Sequence, residues 1–172
     1  MRVFSLFSLL ATAAFCYGQS ATVVIGNIQQ LTTMSSNLNT VVSNINVVNV
    51  LIQGPKVAQG LSAISNQVYQ YINQMDNPPP VYGDVDAVAV VGVLKTFVKV
   101  HQTLLNTIIG KHGLLSLFFF TQPVRVALVS LEAAVDALAL GLIDMIPTQA
   151  PEANGQFASL KITIDAAITV YS

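Results

Sequence analysis

Apolar residues recur along this chain at helical spacing, in segments separated by proline and glycine, with no sustained alternation of period two. The expected fold is all-α: a single-domain bundle of about five amphipathic helices. In the first segment, Thr22 to Gln53, the residues Val24, Ile28, Leu31, Leu38, Val42, Ile45 and Ile52 fall in steps built from fours and threes. That spacing makes a seam for packing against another helix, interrupted only by polar Ser35 and Asn49. Thr22 is read as the cap and Gly54-Pro55 as the breaker. A second helix is expected from Val57 to Met75, with Leu61, Ile64, Val68, Tyr71 and Met75 on one side. The run Asp76-Asn77-Pro78-Pro79-Pro80 stops it, because proline removes donors and holds the backbone extended.

A third helix should begin at Asp84, as N-cap, and end in the stretch Gly110-Lys111-His112-Gly113. Its polar arc holds Lys95, Thr96, Lys99, Gln102, Thr103 and Asn106, while Val91, Leu94, Phe97, Val98, Leu104, Leu105 and Ile108 cover about half the circumference. A stripe that wide needs neighbours on two sides, or a ligand on one. The connector Leu114 to Phe120 reads LLSLFFF, either a buried plug at one end of the bundle or an exposed apolar lip. The fourth helix is expected from Thr121–Pro123 to Ile146, with Val124, Leu128, Leu131, Val135, Leu138, Leu142 and Met145 on one face. The fifth should run from about Glu152 to Tyr171, packing through Phe157, Leu160, Ile164, Ile168 and Tyr171.

Composition sharpens the picture: 53% of residues are hydrophobic and 9% charged, where ordinary soluble domains carry roughly 25% charged. With a net charge of -1 and no clustered lysines, nucleic acid is excluded as a partner. Residues 1–18 read as a removable signal peptide, from Arg2 through the apolar Val3–Phe15 to small residues near Gly18. Residues 19–172 are left as one extracellular domain. Cys16 is the only cysteine and lies in that leader, so no disulfide is expected in the mature chain. Arg125, Glu132, Asp136 and Asp144 argue against a transmembrane span in the fourth helix. The chain has no Asn-x-Ser/Thr sequon and no tail of the kind that directs a lipid anchor, so soluble secretion is expected.

Chemistry is scarce. There are two histidines, His101 and His112, and no HExxH, GxSxG, phosphate-cradling loop or Cys/His cluster. Glu132 and Asp136 stand one turn apart on a polar face and read as a solvated pair. No enzyme, cofactor or metal site is expected. His101 falls within the apolar arc of the third helix, where a neutral imidazole needs a hydrogen-bond partner. It is either a bonded core histidine or the group that meets the head of a bound fatty acid. The lipid-contacting candidates are Phe97, Leu105, Phe157 and Ile164, lining a space among the last three helices, with His101 beside them and Phe118 and Phe119 on the lip.

The uncharged first helix, the triple proline, the segments VLKTFVKVHQTLLNTIIGKHGLL and VRVALVSLEAAVDALALGLIDMIP, and the terminal IDAAITVY together resemble the fungal hydrophobic surface-binding protein A family, which includes the cell-wall galactomannoproteins. The likeness spans essentially all of the mature chain. It implies a secreted, non-enzymatic helical protein that adsorbs to hydrophobic solids and recruits secreted polyester- or cutin-degrading hydrolases. The alternative it implies is a carrier that encloses a long-chain fatty acid between its helices. Partners are then hydrophobic surfaces, long-chain lipids and such hydrolases, and the location extracellular, with the cell wall as an alternative. The family brings no catalytic residues to carry over.

Overall fold

The computed structural model describes residues 19–172, which form six α-helices and no strand. The expected signal peptide, 1–18, lies outside the described residues. Helix α1 is Ala21–Ser43, α2 Val50–Asn73, α3 Asp84–Gly110, α4 His112–Leu117, α5 Thr121–Met145 and α6 Ala150–Val170, the last preceded by a 3-10 turn at Pro147–Gln149. Five are long, and the sixth, α4, is the coiled stretch of the LLSLFFF connector.

The first expected helix divides in two. Ser20, not Thr22, caps α1 by accepting from the Val23 amide, and the helix stops at Ser43. Between Asn44 and Asn49 the asparagine side chains compete with the helical ladder. Asn44 Nδ2 donates to the Thr40 carbonyl. Asn46 Oδ1 accepts from the amides of Val48 and Asn49, and Asn49 Oδ1 accepts from the Asn46 amide. The turn resets the helix axis, so Ile45 and Val50 are buried while Ile52, expected on the seam, is exposed.

Gly54-Pro55 does not break the chain; α2 runs through it. Pro55 lies in the second turn, where its missing N–H frees the carbonyl of exposed Leu51, which water can reach. Gly54 serves a close approach instead: a Cβ there would stand 2.5 Å from the ring of Phe120.

The other boundaries fall close to expectation. Gly83 rather than Asp84 caps α3, which puts Asp84 and Asp86 in the first turn against the positive end of the helix dipole. All seven face residues expected for α5 are buried. In α6, Phe157, Leu160 and Ile164 are buried and Ile168 is half-buried.

Helix α1 packs on α3 and α2, α2 on α5, α5 on α6, and α6 on α3, which closes a ring of five. The short α4 touches α2, α3 and α5 and so lies across one end of that ring. Cross-links fix the polarity. At the α4 end, Lys111 Nζ donates to the Ile45 carbonyl (2.8 Å) and Tyr171 Oη to the Ile108 carbonyl (2.7 Å). At the other end, Tyr82 bonds through its amide to Met145 and through its hydroxyl to Gln19. Neighbours α1, α3 and α6 therefore run toward the α4 end, and α2 and α5 run away from it. Helices α3 and α5 are long and apolar enough to cross a membrane, but in this fold their apolar faces supply the shared core.

Candidate functional site

Among the described residues three polar side chains are buried in the core, Ser35, Ser65 and His101. Ser65 donates back to the Leu61 carbonyl within its own helix. The other two meet across the α1–α3 contact, with His101 Nδ1 2.7 Å from Ser35 Oγ, while Ser35 Oγ lies 2.9 Å from the Leu31 carbonyl. One hydroxyl proton cannot serve both acceptors. The arrangement that satisfies both contacts has Nδ1–H donating to Ser35 and Ser35 donating to Leu31. That leaves the Nε2 lone pair buried without a partner. Burial lowers the imidazole pKa to about 4, so the ring is neutral near pH 7. A serine beside a histidine suggests a nucleophile and its base, but this imidazole donates to the hydroxyl, and both groups are closed to water. Among the described residues no three of His, Cys, Asp or Glu gather as metal ligands.

The expected lipid-contacting residues separate into two places. Phe97, His101 and Leu105 on α3 and Phe157 and Ile164 on α6 are buried in the one core that these packed helices share. The Phe97 and His101 rings lie 5.2 Å apart and tilted. Phe97 and Leu105 expose nothing to water, so an acyl chain between α3 and α6 would have to displace packed side chains. Phe118 and Phe119 stand apart from these, at the α4 end.

The LLSLFFF stretch is both plug and lip. Leu115 is fully buried, and Leu114, Phe118 and Phe120 lean on the core, while Leu117 and Phe119 project. Phe119 is 89% exposed and has φ of 62°, in the left-handed region. The local hydrogen bonds give the reason: Phe120 N–H donates to the Leu115 carbonyl and Phe119 N–H to Ser116. This is the Schellman ending of a helix, whose left-handed position is ordinarily glycine. A phenylalanine there costs about 1–2 kcal/mol of backbone energy, and its ring contributes almost no burial in return.

The same end carries the α1–α2 turn, with exposed Val47, Val48, Leu51 and Ile52. The sequence reading passed over Val47 and Val48, although a hydrophobic pair inside an asparagine turn is out of place for a loop. Charge is unevenly placed along the bundle. Lys56, Lys111 and Arg125, with Asp165, sit toward the α4 end, and Asp76, Asp84, Asp86, Asp144 and Glu152 toward the other.

A groove of about 440 Å³ runs between α1 and α2 along the side of the bundle, walled by Met34, Leu38, Val41, Lys56, Gly60 and Ile64. Sequence reading missed this too. The available signal was Lys56, the only charged side chain between Gln19 and Met75.

Ring-packed helices held together without cysteine among the described residues, with one apolar end and a buried neutral histidine, define the class as a closed helical bundle. The chain belongs to the hydrophobic surface binding protein A family, whose sequence profile matches residues 21–144. Solved structures share the fold. AfMP4p in complex with palmitic acid is 16% identical with a TM-score of 0.78, over 89% of this chain and 100% of that one. Ligand binding domain 2 of the Penicillium marneffei MP1 protein, complexed with multiple arachidonic acids, is 14% identical with a TM-score of 0.70, over 91% and 98%. Domain 1 of the same protein, complexed with arachidonic acids, is 17% identical with a TM-score of 0.64, over 88% and 95%. Comparison with curated protein sequences finds no match.

Proposed function

We propose that this is a secreted, non-enzymatic protein that adsorbs to hydrophobic surfaces through its α4 end. The observation that carries the reading is Phe119, a large apolar ring displayed to solvent on a left-handed backbone where glycine would be cheaper. Val47, Val48, Leu51, Ile52 and Leu117 extend apolar character over the same end. Covering about 300 Å² of such surface at about 25 cal/mol/Å² returns roughly 7 kcal/mol before entropic costs. The chain that carries Val47, Val48, Leu51 and Ile52 brings no carboxylate to the surface, since no acidic side chain occurs from Gln19 to Met75. Once adsorbed, the protein recruits secreted polyester- or cutin-degrading hydrolases, the role its family resemblance implies.

The test is adsorption to wax or polystyrene particles, comparing the wild type with Val48→Ser/Phe119→Ser. Binding should persist or strengthen in sulfate and weaken several-fold in the double variant. Loss of wild-type binding on raising salt, or full binding by the variant, would overturn the reading.

A second reading, a carrier with a fatty acid between its helices, is favoured by the bare Nε2 of His101, an acceptor for the hydroxyl of a protonated carboxylic acid. The palmitate and arachidonate complexes of fold neighbours point the same way. Native mass spectrometry of the secreted protein should then show one added fatty-acid mass, lost in His101→Leu.

A further inference from the structure

The groove between α1 and α2 is distinct from both the α4 end and the His101 core, and its chemistry is lopsided. Lys56 is exposed at its rim, and with no acidic side chain anywhere from Gln19 to Met75, neither wall offers a carboxylate. Among the described residues Lys56 makes no ion pair; the salt bridges there belong to Lys95 and Lys161. Because α1 and α2 are antiparallel, Val41 and Lys56 mark the end of the groove nearer α4, and Met34 and Ile64 mark the far end. The floor is apolar, made by buried Leu38 and Ile64, with Gly60 beneath the Leu38 methyls, where a Cβ would stand 2.5 Å from Cδ1. From Met34 to Val41 the helix rises about 10 Å, the length of a medium acyl chain.

We propose that this groove binds a fatty acid on the flank of the bundle, the carboxylate against the Lys56 ammonium and the acyl chain laid over Leu38, Gly60 and Ile64. A trough with an apolar floor, the amides of Asn37 and Gln59 on its walls and one cation at its end matches an amphiphile with one anionic head. It matches a neutral alkane or a polyanion poorly. The groove volume, about 440 Å³, lies within the roughly 300–1,000 Å³ range of small-molecule sites. This goes beyond adsorption by the α4 end, since none of these residues is among those displayed there.

The experiment is titration of the isotope-labelled protein with decanoate and, separately, decanol, following amide shifts and affinity. Shifts should gather on residues 34–41 and 56–64. Lys56→Gln should weaken decanoate about tenfold, the scale of one charge-assisted hydrogen bond, and leave decanol unchanged. Ala63→Leu, an exposed wall position where leucine is a good helix former, should weaken both ligands without disturbing the fold. Equal decanoate affinity in wild type and Lys56→Gln overturns the proposal. So do shifts centred on His101 with Ala63→Leu silent, which would place the chain in the core. Both variants should adsorb to wax like the wild type. A protein that takes decanoate in the groove yet ignores wax refutes the adsorption reading and leaves this one standing.

Discussion

Gly54 lies directly beneath the ring of Phe120: a Cβ on residue 54 would stand 2.5 Å from both Cδ2 and Cε2. The contact ties the first turns of α2 to the α4–α5 junction and so fixes the apolar end of the bundle. Alanine is the better helix former by about 1 kcal/mol, but the clash opposes it with about 1–3 kcal/mol of overpacking. Gly54→Ala is therefore expected to lower stability in urea denaturation. In a Phe120→Ala background the clash is gone, and the same substitution should stabilise. Additive effects of the two changes would show that ring and glycine do not meet.

Phe119 is expected to trade stability for contact. Replacing it with glycine removes the left-handed penalty and should raise stability by about 1 kcal/mol. It should also reduce adsorption to hydrophobic particles, since the residue is almost fully exposed and little packing is lost. Thermal melts and particle binding measured on one preparation separate the two effects. A Phe119→Gly protein that melts lower than the wild type would show that the ring is held by the fold.

Much of this architecture was legible in the spacing of apolar residues. The α5 face and the buried positions of α3 and α6 follow from a period of 3.6, because in a closed ring each long helix buries a stripe. The Asn44–Asn49 turn was not legible in that way: the apolar period continues from Ile45 to Ile52 across Asn49, and asparagine side-chain bonds end the helix. Gly54-Pro55 misled for the complementary reason, since the glycine answers to a ring distant in sequence. The candidate site was half legible. His101 stood out as a polar residue on an apolar stripe, but its partner Ser35 looked like an interruption, because pairing across helices depends on register that one helix cannot reveal. The groove depends on how α1 and α2 lie together, and so was invisible along the chain.

Asn46 should matter more than its exposed position suggests. Its Oδ1 accepts from the Val48 amide at 2.9 Å and the Asn49 amide at 3.2 Å, closing the turn that leads into α2, whose N-cap residue, Asn49, makes no capping bond of its own. Asn46→Ala is expected to cost about 0.5–2 kcal/mol. Asn46→Asp, which keeps the acceptor and adds charge at a helix start, should cost less. Hydrogen exchange at Val48 and Asn49 should quicken in the alanine variant before that of the α2 interior. Unchanged protection at those two amides would assign the turn to packing of Ile45 and Val50 instead.

The Ser35–His101 pair makes stability depend on pH in a direction the burial dictates. The folded imidazole takes a proton only near pH 4, whereas an unfolded histidine does so near its ordinary 6.5. Between those values the unfolded chain binds more protons, so stability rises with pH across the window. The contribution is complete above about pH 6.5 and is lost as pH falls toward 4, a difference of about 3 kcal/mol at 1.36 kcal/mol per pKa unit. Carboxylates also protonate toward the acid end, but they are common to wild type and variant and cancel in the comparison. His101→Gln keeps a side chain able to bond Ser35 and does not titrate. Urea midpoints at pH 7 and pH 4.5 should show the wild type losing about 2–3 kcal/mol more than His101→Gln. Parallel losses in the two proteins would mean that the folded imidazole takes its proton as readily as an exposed one, and that the core around Ser35 opens to water.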